Sequence, residues 1–229
     1  MVQAASTPYD NDEILRLREE NFRRRSTHNF PDECCLALRR EILEAQTGAM
    51  FGTPEPEGPP QIFIIIGPPA SGKSTIANEI KQSLDVKIVD SDEIKSRLPE
   101  FSKGHHARVV HEESSLLNGE VLEKALEQRV NVIYPVVGRK SSVILSQAFR
   151  FNAYGYDVHL YCKHISPDKA AQRAVLRFIT GEIDSVTQEI IHRFVDPLYI
   201  LEEVRDLPLR TYIEIRNNDI FKTRKLITE

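Results

Sequence analysis

The 229-residue chain is 41% hydrophobic and 28% charged, with a formal net charge of −4, which excludes a disordered chain and fits one α/β domain with an appendage. The acidic balance supplies no general basic field for nucleic acid or anionic lipid, and no apolar run approaches the ~18 residues of a membrane-spanning helix. Adjacent Cys34 and Cys35 and distant Cys162 make neither a disulfide framework nor a zinc spacing; with no basic-then-apolar leader, the expected location is the cytoplasm.

Residues 1–60 read as an N-terminal helical extension and a Pro-rich linker. Asp10 to Arg25 is a charged helix with Ile14, Leu15, Leu17 and Phe22 as its apolar positions. Asp12-Glu13 in front and Arg23-Arg24-Arg25 behind suit the helix dipole. The arginine run reads as a solvated helix end, with a phosphate- or partner-binding surface as the other reading. A second helix, from Pro31 or Asp32 to about Gln46, has Cys35, Leu36, Leu38, Ile42 and Leu43 to bury and Gly48 to end it. The extension is expected to cap the core. Gly52 to Pro60 is a stiff linker into the domain over residues 61–229.

Ile62 to Ile66 reads as a strand buried on both faces, and Thr75 to Leu84 as a helix. Between them Gly67-Pro68-Pro69-Ala70-Ser71-Gly72-Lys73-Ser74 fits G-x-x-x-x-G-K-S, the phosphate loop, with Thr75 following. Backbone N–H groups of such a loop, with the positive end of the next helix, wrap a phosphate chain. Lys73 would sit on the β- and γ-phosphates, and the Ser74 hydroxyl in the shell of a magnesium ion. A chance match in a Gly/Ser-rich turn would not carry the strand before and the helix after. The stretch reads as a nucleotide site.

A second strand, Val86 to Val89, ends at Asp90-Ser91-Asp92-Glu93. Ligands bind beyond the carboxyl ends of parallel strands, so topology brings these carboxylates toward the γ-phosphate. Asp92 is the expected base and Asp90 the second choice, also a candidate magnesium ligand. Either could instead cap the short helix Glu93 to Arg97. The stretch Phe101 to Ser115 then leads into a long helix to about Arg129, with Val109, Leu116, Leu117, Val121, Leu122 and Ala125 at roughly helical spacing. His105, His106 and His111 with Glu112 and Glu113 lack an i, i+4 His pair, so substrate contact by Glu112 or a helix start reads better than zinc.

The third strand, Asn131 to Val137, carries no acid at its end. Arg139 follows it and could bind an anionic substrate group or be an ordinary loop arginine. Ser142 to Asn152 is a helix and Asp157 to Cys162 a strand. Ser166 to Gly181 is a capped helix that puts Arg173 and Arg177 on one face, either closing over the transferring phosphate or paired at the surface. Glu182 to Val204 reads as a helix interrupted by Pro197, and Arg210 to Ile215 as a final short strand. Alternating strands and helices make the fold α/β, a parallel sheet with helices on both faces, as in phosphate-loop NTP hydrolases and kinases.

Together these motifs resemble the zeta toxin family of phosphate-loop kinases over about residues 60–215, as a divergent member. The likeness rests on the loop Gly67 to Thr75, on Asp90-Ser91-Asp92 with Lys95 and Pro99, on His111-Glu112-Glu113-Ser114, and on Gly155 to Leu160; Arg173 and Arg177 match the arginines before the family's lid. The resemblance implies transfer of the γ-phosphoryl group of ATP or GTP, with magnesium, to a sugar hydroxyl. The family's well-known acceptor is the nucleotide sugar UDP-N-acetylglucosamine, and bacterial members pair with an inhibitory antitoxin. It also implies Asp92 as base and acceptor contact, Lys73 and Ser74 on phosphate and magnesium, and Arg177 on the phosphates. Two positions depart from the pattern. Pro135-Val136-Val137 stands where the best-known members have Glu-Gly-Thr, and Gly181-Glu182 where they have Gly-Arg. The reading is therefore a small-molecule kinase, with two alternatives: a nucleotide-binding regulatory module, or a nucleic-acid end kinase, which the acidic balance disfavours.

Overall fold

The computed structural model describes residues 33–48, 58–99, 101, 110–166, 168–170, 172–173 and 207–229. Within them five parallel strands form one sheet: β1 Gln61–Ile66, β2 Lys87–Ile88, β3 Val132–Val136, β4 Asp157–His164 and β5 Phe221–Thr228, in the order β2-β3-β1-β4-β5. The helices are α1 Glu33–Gly48, α2 Lys73–Ser83, α3 Ser91–Lys95, α4 His111–Glu127, α5 Ser141–Ala153 and α6 Leu207–Ile215. Central β1 has β3 on one side and β4 on the other. The chain leaves β1 for the far strand β2 and returns to β3, so the end of β1 is where an open α/β sheet parts to receive a ligand.

Side-chain alternation along β1 explains why both faces are covered. Ile62, Ile64 and Ile66 enter a large cluster with Leu117, Val121 and Leu122 of α4, Ile144 and Phe151 of α5 and Tyr212 of α6. Phe63 and Ile65 face the other way, onto Ile76 and Ala77 of α2. Two buried polar side chains tie the core together. Asn131 accepts from Gln61 N–H at 2.9 Å and donates to Asp85 O at 3.0 Å, tying the start of β1 to the approach to β2. The buried Tyr156 hydroxyl lies 2.9 Å from Ala125 O and 3.0 Å from Val130 O.

Helix α1 packs Ile42, Leu38 and Leu43 onto the large cluster. Arg39 Nε donates to the buried Glu113 carboxylate of α4 at 2.6 Å. The expected first helix, Asp10 to Arg25, the Cys34, Cys35 and Leu36 side chains and Glu182 to Val204 lie outside the described residues. Two expectations change. Leu116 is exposed, because the next residue, Leu117, takes the core position and their side chains diverge by about 100° around the helix. Arg210 to Ile215 is helical, part of α6, and not a strand. Its buried residues Pro208, Thr211, Tyr212 and Ile215 follow helical spacing. The outer strand is Phe221–Thr228, whose Lys222, Arg224 and Lys225 are exposed as suits a sheet edge.

Candidate active site

At the carboxyl end of β1, Gly67 N–H donates to Val136 O of β3 at 3.2 Å. The loop then passes through two left-handed residues, Ala70 at φ 56° and Gly72 at φ 93°, the first at a cost of roughly 1 kcal/mol for a residue with a Cβ. Ser71 N–H to Pro68 O at 3.2 Å and Thr75 N–H to Gly72 O at 3.1 Å hold that shape. Gly72 is the N-cap of α2 and brings no side chain to it, so the first-turn N–H groups and the positive helix end are left to an anion. Close approach also requires Gly67: a Cβ there would lie 2.7 Å from Lys163 O and 2.8 Å from Ser71 Oγ. The Ser71 hydroxyl is buried with no hydrogen-bond partner, a cost offset once an acceptor such as a phosphate oxygen reaches it. Lys73 Nζ donates to Gly67 O at 2.9 Å and Pro68 O at 3.0 Å, which lays the ammonium across the loop. Ser74 and Thr75 are exposed in the first turn of α2.

Beyond β2, the two candidate carboxylates divide their work. Asp90 is the N-cap of α3 and accepts from Asp92 N–H at 3.0 Å. Its pKa is pushed up to about 6, first by burial and then by the Asp92 charge; the Asp92 N–H, Lys73 and Lys95 pull the other way. The phosphate loop and the β2 end lie at the same carboxyl edge of the parallel sheet. Asp92 Oδ1 is held by Lys95 Nζ at 2.8 Å, with the lysine 3% and the aspartate 28% exposed. The burial of Lys95 fixes the direction of the Asp92 carboxylate. Tyr134 of β3 borders the same charge: burial and then Asp90 raise its pKa.

Opposite, on the β4 side, lies a cationic pair. Lys163 is buried near the end of β4, and its Nζ is 3.4 Å from Glu229 Oε1. Arg173 Nη2 donates to Glu229 Oε1 at 2.9 Å and Oε2 at 2.7 Å, and Arg173 Nη1 to Ser71 O at 3.5 Å. Arg173, expected at the nucleotide, therefore touches the phosphate loop. Arg139 is exposed just past Gly138, whose φ of 77° turns the chain tightly over Ile66. Glu112 is exposed in the first turn of α4, whereas its neighbour Glu113 is buried on Arg39. Arg177, Glu182, His105 and His106 lie outside the described residues. Sequence reasoning passed over Lys163 and Glu229, because a lysine inside a strand and a glutamate after one carry no motif.

The donor set suits a magnesium nucleotide. Among the described residues no three His, Cys, Asp or Glu side chains group to hold a metal by themselves, and Mg²⁺ ordinarily takes one or two protein groups with phosphate oxygens completing its shell. Ser74 and Asp90 are such groups. A carboxylate whose pKa is raised by burial and a like charge is also one that a divalent cation would relieve.

The zeta toxin family model matches residues 45–218. That match starts inside α1, ahead of the first motif, and ends before β5. The fold is similar to that of a solved chain of the PezAT chromosomal toxin-antitoxin system of Streptococcus pneumoniae, at 15% identity and TM-score 0.60, covering 83% of this chain and 76% of that one. It is also similar to a chain of the native AvrRxo1-ORF1:-ORF2 complex, at 16% identity and TM-score 0.55, over 96% and 70% of the two chains. A second AvrRxo1-ORF1:AvrRxo1-ORF2 structure, with sulphate ions, gives 18% identity and TM-score 0.51, over 92% of this chain and 62% of that one. No curated protein sequence matches. With the phosphate loop, the paired aspartates and this fold in place, the chain belongs to the zeta toxin family of phosphate-loop kinases.

Proposed function

We propose that the protein transfers the γ-phosphoryl group of ATP or GTP to a hydroxyl of a small molecule, with a nucleotide sugar such as UDP-N-acetylglucosamine as the first candidate acceptor. The observation that carries this reading is the phosphate loop, whose α2 N-terminus has no side-chain cap and whose buried Ser71 hydroxyl has no partner, at the carboxyl end of the same parallel sheet whose β2 leads into Asp90 and Asp92. Asp92 takes the proton of the acceptor hydroxyl, and the freed oxygen bonds to the γ-phosphorus as the bond to the leaving nucleoside diphosphate breaks. Lys95 keeps Asp92 oriented for that step. The backbone N–H groups of Gly72, Lys73 and Ser74 at the start of α2 hold the phosphates, and Lys73, Arg173 and Arg177 neutralise the charge that develops on them. Ser74 and Asp90 would hold a magnesium ion, which supplies further neutralisation of phosphate charge. Glu112, Arg139 and Asp92 are the proposed acceptor contacts, with Arg139 facing an anionic group.

In this reading residues 1–60 are an extension with a linker and residues 61–229 the kinase domain. Among the described residues no helix is long and apolar enough to cross a membrane, which is compatible with a cytoplasmic kinase. The PezAT structure is described as part of a toxin-antitoxin system; an antitoxin-like protein partner is proposed by that analogy. The test is transfer of labelled phosphate from ATP to UDP-N-acetylglucosamine by the wild type, Asp92→Asn and Lys73→Ala. Product from the wild type alone supports the proposal. Product from none of them, with ATP still bound by the wild type, removes this acceptor; equal product from Asp92→Asn removes Asp92 as base.

A further inference from the structure

A carboxylate of the chain itself sits on the two cations that border the phosphate loop. A Cβ built on Gly72 would lie 3.9 Å from Lys163 Cε and 3.9 Å from Arg173 Nη1, so the two side chains flank the N-cap of α2. Both reach Glu229, Arg173 with both carboxylate oxygens and Lys163 with one. Two oxygens spanned by a guanidinium, with an ammonium beside them, is the pattern a phosphate group also satisfies. Burial of Lys163 demands an anion at that place, which Glu229 supplies here and a bound phosphate chain would also supply. The Glu229 side chain is 30% exposed, and such ion pairs are weak enough to exchange. The Arg173 hydrogen bond and the Arg173 and Lys163 charges also hold the Glu229 carboxyl below its ordinary pKa. Glu229 lies beyond the residues that the family model matches.

We propose that Lys163 is a further phosphate-binding residue and that the Glu229 carboxylate is an internal competitor, seated on Lys163 and Arg173 until the phosphates of a nucleotide displace it. The inference rests on the phosphate-loop reading above and adds a residue and a brake to it. Nucleotide binding then carries the cost of breaking the Glu229 contacts, and apparent affinity is reduced by the fraction of molecules in which Glu229 is seated.

Isothermal titration of the full chain with magnesium ATP, and separately with inorganic tripolyphosphate, tests this on the wild type, Glu229→Gln, Lys163→Met, the double variant and Lys73→Ala. Glu229→Gln is expected to bind both ligands roughly fivefold more tightly, the factor for losing a competing pair near the top of the exposed range. Lys163→Met is expected to bind both more weakly, and adding it to Glu229→Gln should shrink the gain. Unchanged or weaker binding by Glu229→Gln, with the wild type binding and Lys73→Ala impaired, overturns the competitor while leaving the phosphate-loop reading intact. Binding by neither the wild type nor Glu229→Gln overturns both. A gain in Glu229→Gln that persists in full without Lys163 overturns the role of Lys163.

Discussion

Replacing Asp90 with asparagine should stabilise the protein near neutral pH while impairing its chemistry. The Asp90 carboxyl is raised from 3.8 to about 6, chiefly by burial and then by Asp92. Such a displacement corresponds to about 3 kcal/mol at 1.36 kcal/mol per pH unit. A folded-state pKa above the unfolded one gives a stabilising contribution that is whole below 3.8 and lost as the pH rises through about 6. Wild-type protein at pH 7.5 has therefore lost it, because folding must bury a carboxylate that is already ionised. Asparagine keeps the oxygen that accepts from Asp92 N–H at 3.0 Å, so the α3 cap persists and the charge alone is removed. The expected gain at pH 7.5 is about 2–3 kcal/mol, or about 5–10 °C in Tm for a chain of this size. It should shrink below pH 6 and disappear near pH 4. Urea and thermal unfolding followed by circular dichroism across that range, with a metal chelator present, measure it. No gain at pH 7.5, or an equal gain at pH 4.5, would refute the electrostatic account of Asp90. In the proposed kinase the same substitution weakens magnesium-dependent turnover, the usual conflict between stability and an active site.

Gly138→Ala should destabilise by about 2–4 kcal/mol in urea unfolding, because φ is 77° and the new Cβ would lie 2.7 Å from Ile66 Cβ inside the core; near-neutral stability would mean the turn over Ile66 is wrong. Arg39→Ala should cost about 2–3 kcal/mol by leaving the Glu113 carboxylate buried without its partner, and adding Glu113→Gln should recover part of that. Strict additivity of the two would argue against the pair. Lys73→Ala should lower phosphoryl transfer about 10²–10³-fold by removing a charge from the phosphates, with little change in unfolding midpoint. Lys95→Met should lower kcat about tenfold or more with KM for ATP nearly unchanged, since it orients Asp92 and touches no phosphate in the proposed scheme; a pure KM effect would place Lys95 elsewhere.

The parts of the fold with strong local signals were legible from residues alone. The run Ile62 to Ile66 could only be a strand buried on both faces, and the glycine-bounded loop before an amphipathic helix has one well-understood shape. Helix α6 was not legible, because Arg210 to Ile215 is rich in strand-favouring β-branched and aromatic residues (Thr211, Tyr212, Ile213, Ile215) and the residue that reveals helical spacing, Pro208, lies ahead of it. β5 was hidden for the opposite reason: as an edge strand it buries Phe221 and exposes its basic residues, so it carries little hydrophobic pattern. Within the candidate site, motif spacing could nominate Asp90 and Asp92 but not divide capping from orientation. That division depends on which carboxylate reaches Asp92 N–H and which reaches the buried Lys95. Lys163 meets Glu229 through the pairing of β4 with β5, and Arg173 reaches the same carboxylate from far off in the sequence.

Mass spectrometry of a nucleotide-sugar and metabolite extract, incubated with ATP, magnesium and the protein and compared with Lys73→Ala, tests the proposed kinase most directly. The account predicts a species heavier by one phosphate group, formed by the wild type and missing from the control, and its identity names the acceptor. No phosphorylated species from an extract in which the wild type binds ATP and Lys73→Ala does not would contradict phosphoryl transfer, leaving nucleotide binding as the activity of the site.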